Sequence, residues 1–357
     1  MSRGTAVVAL SGGVDSSVAA YLLKEQGYDV IGVHMSLFED GLVPEAGGFS
    51  PIQKLEDEVR EFCRNISIKF QLLELKQEFK KYVIDYFVRE YNNGRTPNPC
   101  VACNKYIKFG FIFDKLQTNH IEFDYLATGH YASIKAYDGS YHLFAARDKS
   151  KDQSYFLYHL DQQKMAKIKF PLADYSKKEV TAIAASRDFS SSIKLSSQDI
   201  CFIKNRYAEF LERFIPPVQG DIIDEAGNII GRHKGITHYT IGQRYGLGIA
   251  SSGRLYVNKI DNDDNRIIVG NEESLFHKAL IATGLHWVSG ELPDNDSDIE
   301  VKIRYGMAKV PAQLKVSNNS AYVVFVKEQK AITPGQSVVF YHQNEVLGGG
   351  IIENHAE

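Results

Sequence analysis

The chain has 357 residues, enough for two or three domains of ordinary size. Hydrophobic content of 44% and charged content of 24% are those of globular protein, and no apolar run approaches the roughly 18 residues of a membrane span. A net charge of −3 excludes a molecule that draws nucleic acid by its overall field, so any such site must be local.

In chain order, strand candidates Ala6–Leu10, Asp29–His34, Lys69–Leu75 and Asp124–Gly129 alternate with helix candidates Ser16–Gln26, Pro51–Asn65, Gln77–Tyr91 and Lys105–Thr118. This order predicts an α/β fold with a doubly wound parallel sheet, whose ligands sit at the carboxyl ends of the strands. From about Tyr207 the chain turns β-prone and is punctuated by Pro216-Pro217 and by glycines. From about Ala279 it reads as six short strands, Leu280–Trp287, Ile299–Tyr305, Ala312–Val316, Ala321–Val326, Ser337–Tyr341 and Val346–Ile352, a pattern that predicts a small β-barrel. The expected division is residues 1–206 for the nucleotide-binding domain, 207–276 for a small β-rich domain and 277–357 for the barrel. Met1-Ser2-Arg3-Gly4 runs straight into the first strand with no leader, so the expected location is cytoplasmic, with no membrane partner.

The most informative stretch is Ser11-Gly12-Gly13-Val14-Asp15-Ser16-Ser17, between the first strand and first helix. Paired glycines let the backbone approach a bulky anion, and the first amides of a helix have no internal acceptor. Such a loop grips phosphate. It is not the Gly-x-x-x-x-Gly-Lys loop, since no lysine enters it.

Two loops are candidate lids or substrate contacts: Ser36–Ser50, and Asn92–Pro99, whose prolines forbid a helix interior. Cys63 reads as core. Cys100 and Cys103 open a helical pattern beside lysines, a setting that predicts lowered thiol pKa values, and Cys201 lies far downstream. These three thiols fit a reactive pair, an iron–sulfur ligand set with one open iron, or three unrelated surface thiols.

The glycine loop resembles the pyrophosphate loop of ATP pyrophosphatases. The later blocks extend the likeness: Thr96-Pro97-Asn98-Pro99, Cys103-Asn104-Lys105, Thr128-Gly129-His130-Tyr131, Lys151-Asp152-Gln153-Ser154-Tyr155, Ile200-Cys201-Phe202, Thr240-Ile241-Gly242-Gln243-Arg244, Arg304-Tyr305 and Thr333-Pro334-Gly335-Gln336. In this order, end to end, they resemble the bacterial tRNA-specific 2-thiouridylases.

That resemblance implies an adenine nucleotide α-hydrolase-like first domain and a definite chemistry. ATP adenylates the C2 oxygen of a wobble uridine, in the anticodon loop of tRNAs such as those for Lys, Glu and Gln. A persulfide sulfur, delivered by a donor protein, then replaces that oxygen. Carried over by position, Cys201 bears the persulfide and Cys103 releases the sulfur through a disulfide. Ala9, Leu10, Ser11, Gly12, Gly13, Val14, Asp15, Ser16, Met35 and Gly129 would hold ATP, with Asp15 placing Mg2+ through the diphosphate. Asn98, Pro99 and Cys100 would face the target base. His130, Lys151, Asp152, Gln153, Arg304, Tyr305 and Gln336 would touch tRNA.

The sequence departs from the family at Cys100, where aspartate is usual. With Cys103 and Cys201 it makes a three-thiolate set of the kind that holds a [4Fe–4S] cluster in related thiolases. A rival reading is a synthetase of the same loop type that adenylates a small molecule for amidation.

Overall fold

The computed structural model describes residues 2–39, 51–187, 189, 200–203, 206–250, 253–293 and 299–356. Most of the Ser36–Ser50 loop lies outside them.

Four apolar segments and one short late strand make a parallel sheet. Its strands are β1 (Thr5–Ala9), β2 (Asp29–Ser36), β3 (Lys69–Glu74), β4 (Tyr125–Ala127) and β7 (Ile168–Lys169), in the order β3-β2-β1-β4-β7. The central β1 is buried over Ala6–Ala9, as a strand covered on both faces must be. The order reverses between β1 and β4, and the glycine loop leaves β1 at that switch point, the place where doubly wound sheets bind their ligands. Helix α1 (Val14–Glu25) and α5 (Lys177–Ser186) share a core with Val8, Leu10, Val59 and Phe62. Helix α2 spans Pro51–Asn65, and α3 (76–92) and α4 (99–118) each contain wide π-type turns.

Strands β8 (Gly220–Ile223), β9 (Ile229–His233), β10 (Tyr256–Asp261) and β11 (Arg266–Gly270) form a separate small sheet over Ile222, Val257, Ile267 and Val269. The last six strands, β12 (Phe276–Trp287), β13 (Ile299–Lys302), β14 (Val310–Ser317), β15 (Ser320–Lys330), β16 (Ser337–His342) and β17 (Glu345–Ala356), pair antiparallel. Pairing of β12 with β17 closes them into a barrel, which leaves these two without a free edge at that seam. A hairpin from the first third of the chain, β5 (Ala132–Tyr137) and β6 (Ser140–Ala145), adds to the same sheet through β17. One core therefore runs from Val7 and Val33 through Leu143 and Tyr155 to Val339, Tyr341 and Val346.

Candidate active site

The phosphate loop is shaped by its backbone. Gly12 sits at φ +73°, in the left-handed region, and a β-carbon there would run into Leu55. Gly13 caps α1 with extended backbone and no side-chain bond, so the cap does not occupy the first-turn amides. Ser16 folds back instead: its hydroxyl donates to the Gly13 carbonyl at 3.0 Å and accepts from the Ser11 amide at 3.2 Å. The Ser11 and Ser16 hydroxyl oxygens are 3.3 Å apart. Gly129, just past β4, closes the far side. A β-carbon on it would stand 2.7 Å from the Asp15 carbonyl carbon and the Ser16 nitrogen. Ala9, Leu10 and Val14 are buried, so they can offer a ligand only main chain, and Met35 is half-buried near the end of β2.

Asp15 lies in the first turn of α1, where its charge suits the helix dipole. One of its carboxylate oxygens accepts from the Tyr131 hydroxyl at 2.8 Å and from the Lys177 ammonium at 2.6 Å. Asp15 and the hydroxyls of Ser11 and Ser16 are hard oxygen donors, the kind Mg2+ takes beside phosphate. Neither Tyr131 nor Lys177 was expected in the site. Lys177 carries no motif signal except the Ser176-x-x-Glu179 capping box that starts its helix.

Helix α4 begins at Pro99, with the Asn98 side chain accepting from the Val101 amide at 3.3 Å. Cys103 is therefore in the second turn, packed in a core with Phe79, Phe87 and Phe202. This corrects the expected lowered thiol pKa values. Burial pushes the Cys103 thiol up to about 11, outweighing the nearby Lys108 ammonium. Cys100 is also raised by burial. Cys201 lies in a turn and exposes part of the residue, yet its thiol is desolvated and pushed up to about 12, with Cys103 and Cys100 adding to the shift. The three sulfurs are thus within electrostatic reach of one another. Cys63 is fully buried, as expected of core.

Lys108 is a cation common to the thiols and His130. Its charge acts on Cys100, Cys103 and Cys201 and on His130, whose neighbour Gly129 lies against Asp15 and Ser16. Among the described residues no group of three His, Cys, Asp or Glu stands in position to hold a metal ion.

Three family models match the chain in succession: a "tRNA methyl transferase HUP domain" over residues 4–205, a "tRNA methyl transferase PRC-barrel domain" over 208–271 and an "Aminomethyltransferase beta-barrel domain" over 277–352. The tRNA-specific 2-thiouridylase MnmA of Halothermothrix orenii is 44% identical over 98% of this chain and 99% of its own. That of Clostridioides difficile is 44% identical over 97% of each, and MnmA 2 of Clostridium botulinum is 43% identical over 99% of each. The chain belongs to the tRNA-specific 2-thiouridylase family.

His130 is buried between Phe109 and Phe170, with Nδ1 2.7 Å from the Thr128 hydroxyl, and burial holds its pKa well below the usual histidine value. Asp152 accepts from the amides of Ala146 and Ser154, both at 3.1 Å. Gln153 clasps the main chain of Tyr131 from both sides, at 3.0 and 2.8 Å, so this segment braces the tyrosine that holds Asp15. Lys151 donates its amide to the Asp148 carbonyl at 3.0 Å, a tight turn that leaves its side chain half-buried.

Arg304 is inward-facing. It donates to the carbonyls of Ile241 at 3.3 Å and Ala331 at 3.2 Å and to the Thr333 hydroxyl, joining the small domain to the barrel. Tyr305 is 39% exposed and packs on Phe156, with ring centroids 4.5 Å apart. Gln336 reaches the Asn92–Pro99 loop, bonding Thr96 and Pro97. No helix among the described residues is long and apolar enough to cross a membrane.

Proposed function

We infer that this chain is an ATP-dependent tRNA-uridine 2-sulfurtransferase that converts a wobble uridine to 2-thiouridine. What chiefly supports the reading is 44% identity to a thiouridylase over nearly the whole chain, with a glycine loop that can take phosphate at the start of α1.

Residues 9–16, Met35 and Gly129 hold ATP. Mg2+, bound through Asp15 and the phosphates, would neutralise the diphosphate as it leaves. The uridine O2 attacks the α-phosphorus, the bond to the β-phosphate oxygen breaks, and pyrophosphate departs with the electron pair. The uridine oxygen, a poor leaving group, becomes part of AMP, a good one. The terminal sulfur of a Cys201 persulfide attacks C2. The Cys103 thiolate then attacks the Cys201 Sγ, the persulfide S–S bond breaks, a Cys103–Cys201 disulfide forms, and AMP leaves with the former O2. A thiol reductant resets the pair. Asn98, Pro99 and Cys100 face the base, which must be splayed from the anticodon loop to reach C2.

A donor protein supplies the persulfide, and the carried-over residues His130, Lys151–Gln153, Arg304, Tyr305 and Gln336 contribute to the tRNA surface. No step is routed through a [4Fe–4S] cluster.

The test is incubation of the protein with unmodified wobble-uridine tRNA, ATP, Mg2+ and a persulfide donor, followed by mass analysis of the nucleosides. The expected result is exchange of oxygen for sulfur on uridine with one AMP per turnover, in protein free of iron. AMP formed only with a small-molecule substrate and ammonia would overturn the reading in favour of an amidating synthetase. Thiolation that depends on bound iron and sulfide would overturn the persulfide route.

A further inference from the structure

The sequence places no lysine inside the phosphate loop, yet a lysine arrives there from elsewhere in the chain. Lys177 Nζ lies 2.6 Å from Asp15 Oδ1, at the N-terminus of α1. The pair is mostly enclosed, with side-chain exposures of 21% for Lys177 and 30% for Asp15. The reaction as described above makes no use of this lysine.

Its backbone is fixed more firmly than a chance ion pair needs. Lys177 is the first residue of α5, and that start is set by the reciprocal Ser176–Glu179 capping box. The Lys177 amide donates to Asp148 Oδ2 at 2.9 Å, and Arg147 pairs with Glu179. The helix itself is locked to α1 through Val180 and Ala184, in the same core as Val18, Ala19 and Leu22. An ammonium group is thus delivered to the loop by a separate, braced element.

Charge complementarity says what it is for. A nucleoside triphosphate brings several negative charges to this helix end, against which the helix dipole supplies only about half a positive charge. With no nucleotide, Asp15 neutralises Lys177, and Tyr131 shares the same carboxylate oxygen. When the phosphates and Mg2+ arrive, the carboxylate has a better cation and the ammonium has better anions nearby. We propose that Lys177 is the diphosphate-binding cation of this site, and that the Asp15–Lys177 pair is its resting form, opened by the Mg2+–nucleotide. The proposal rests on the loop binding ATP as argued above. The ligand class is inorganic pyrophosphate or the β,γ-phosphates of a nucleoside triphosphate. AMP, which lacks them, does not engage Lys177.

The test is calorimetric titration of the full-length protein, without tRNA, with Mg2+–pyrophosphate, Mg2+–ATP and AMP. Loss of one charge-assisted bond should weaken pyrophosphate and ATP by about tenfold or more in Lys177→Met, while AMP binding stays within about threefold of wild type. Lys177→Arg, which keeps the charge, should recover most of the affinity. If Lys177→Met does not fold, Lys177→Gln is read the same way. Unchanged pyrophosphate affinity overturns the proposal, as does an equal loss for AMP, which would mean only a displaced loop. Wild-type protein that binds Mg2+–ATP but thiolates no tRNA would sink the thiouridylase reading and leave this one standing.

Discussion

The Gln336 side-chain amide, on the barrel, donates to the main-chain oxygens of Thr96 at 2.9 Å and Pro97 at 3.3 Å. The same contact includes the Thr96 amide on the Pro334 carbonyl at 2.9 Å, and Arg95 paired with Glu353 at 2.7 Å and bonded to the Ile352 carbonyl at 3.2 Å. Gly335, at φ +91°, lets the barrel turn lie against Thr96, where a β-carbon would sit 2.9 Å from its carbonyl oxygen. The proline loop is therefore clamped by the barrel and positions Asn98 from there.

Gln336→Ala should remove two hydrogen bonds to that loop and lower stability by about 1–2 kcal/mol. Steady-state kinetics should show a raised KM for tRNA with the ATP KM unchanged. Equal changes in both would mean that the clamp does not act through the loop.

Gly129→Ala presses a methyl group into the main chain of Asp15 and Ser16 at 2.7 Å. Backbone cannot yield as a side-chain tip can, so about 1–3 kcal/mol of strain falls on the phosphate loop. ATP affinity should drop about tenfold or more, with the far-ultraviolet spectrum retained. Wild-type ATP affinity would show that the loop is looser than its packing.

Cys103→Ser and Cys201→Ser should each abolish thiolation while ATP binding persists, as measured by nucleoside mass analysis beside ATP titration. The raised pKa values add a pH signature. Only the thiolate is alkylated, and with Cys103 held up to about 11 its alkylation rate should climb nearly tenfold per pH unit from about pH 7 to about pH 10. Peptide mapping of the adduct reports this directly. A plateau near pH 8 would mean that the thiol is not desolvated in solution.

His130 and His159 are buried, and burial holds both well below the ordinary histidine value. The unfolded chain binds these protons near pH 6.5 and the folded chain does not, so stability is full above about 6.5 and falls as pH drops below it. The slope should be at most about 1.4 kcal/mol per pH unit for each group. Urea unfolding at about pH 7.5 and pH 5.5, with His159→Gln as comparison, measures it. A flat profile would place these imidazoles in contact with water.

The parallel sheet and the six barrel strands were legible because their apolar residues keep a period that local burial dictates. Ser11–Ser17 was legible because a glycine turn between strand and helix has few other uses. The environment of Cys103 was not, because it depends on where α4 starts. The Asn98 cap moves that start to Pro99, and wide turns over Cys103–Phe111 carry the thiol into a core completed by Phe202. Nor could the sequence place Lys177 beside Asp15, since 162 residues separate them and only the packing of α5 on α1 joins them. The inward turn of Arg304 toward Ile241 and Ala331 is likewise a product of assembly between domains.

The hairpin β5–β6 has a consequence for biosynthesis. Its outer partner is β17, and the His142–Glu345 contact across that seam spans 203 positions. As the polypeptide emerges from the ribosome, β6 must wait with its edge unpaired until β17, about 200 residues later, is made. During that interval it is open to capture by another nascent chain, and a message cut short before β17 would release a product with that edge still exposed.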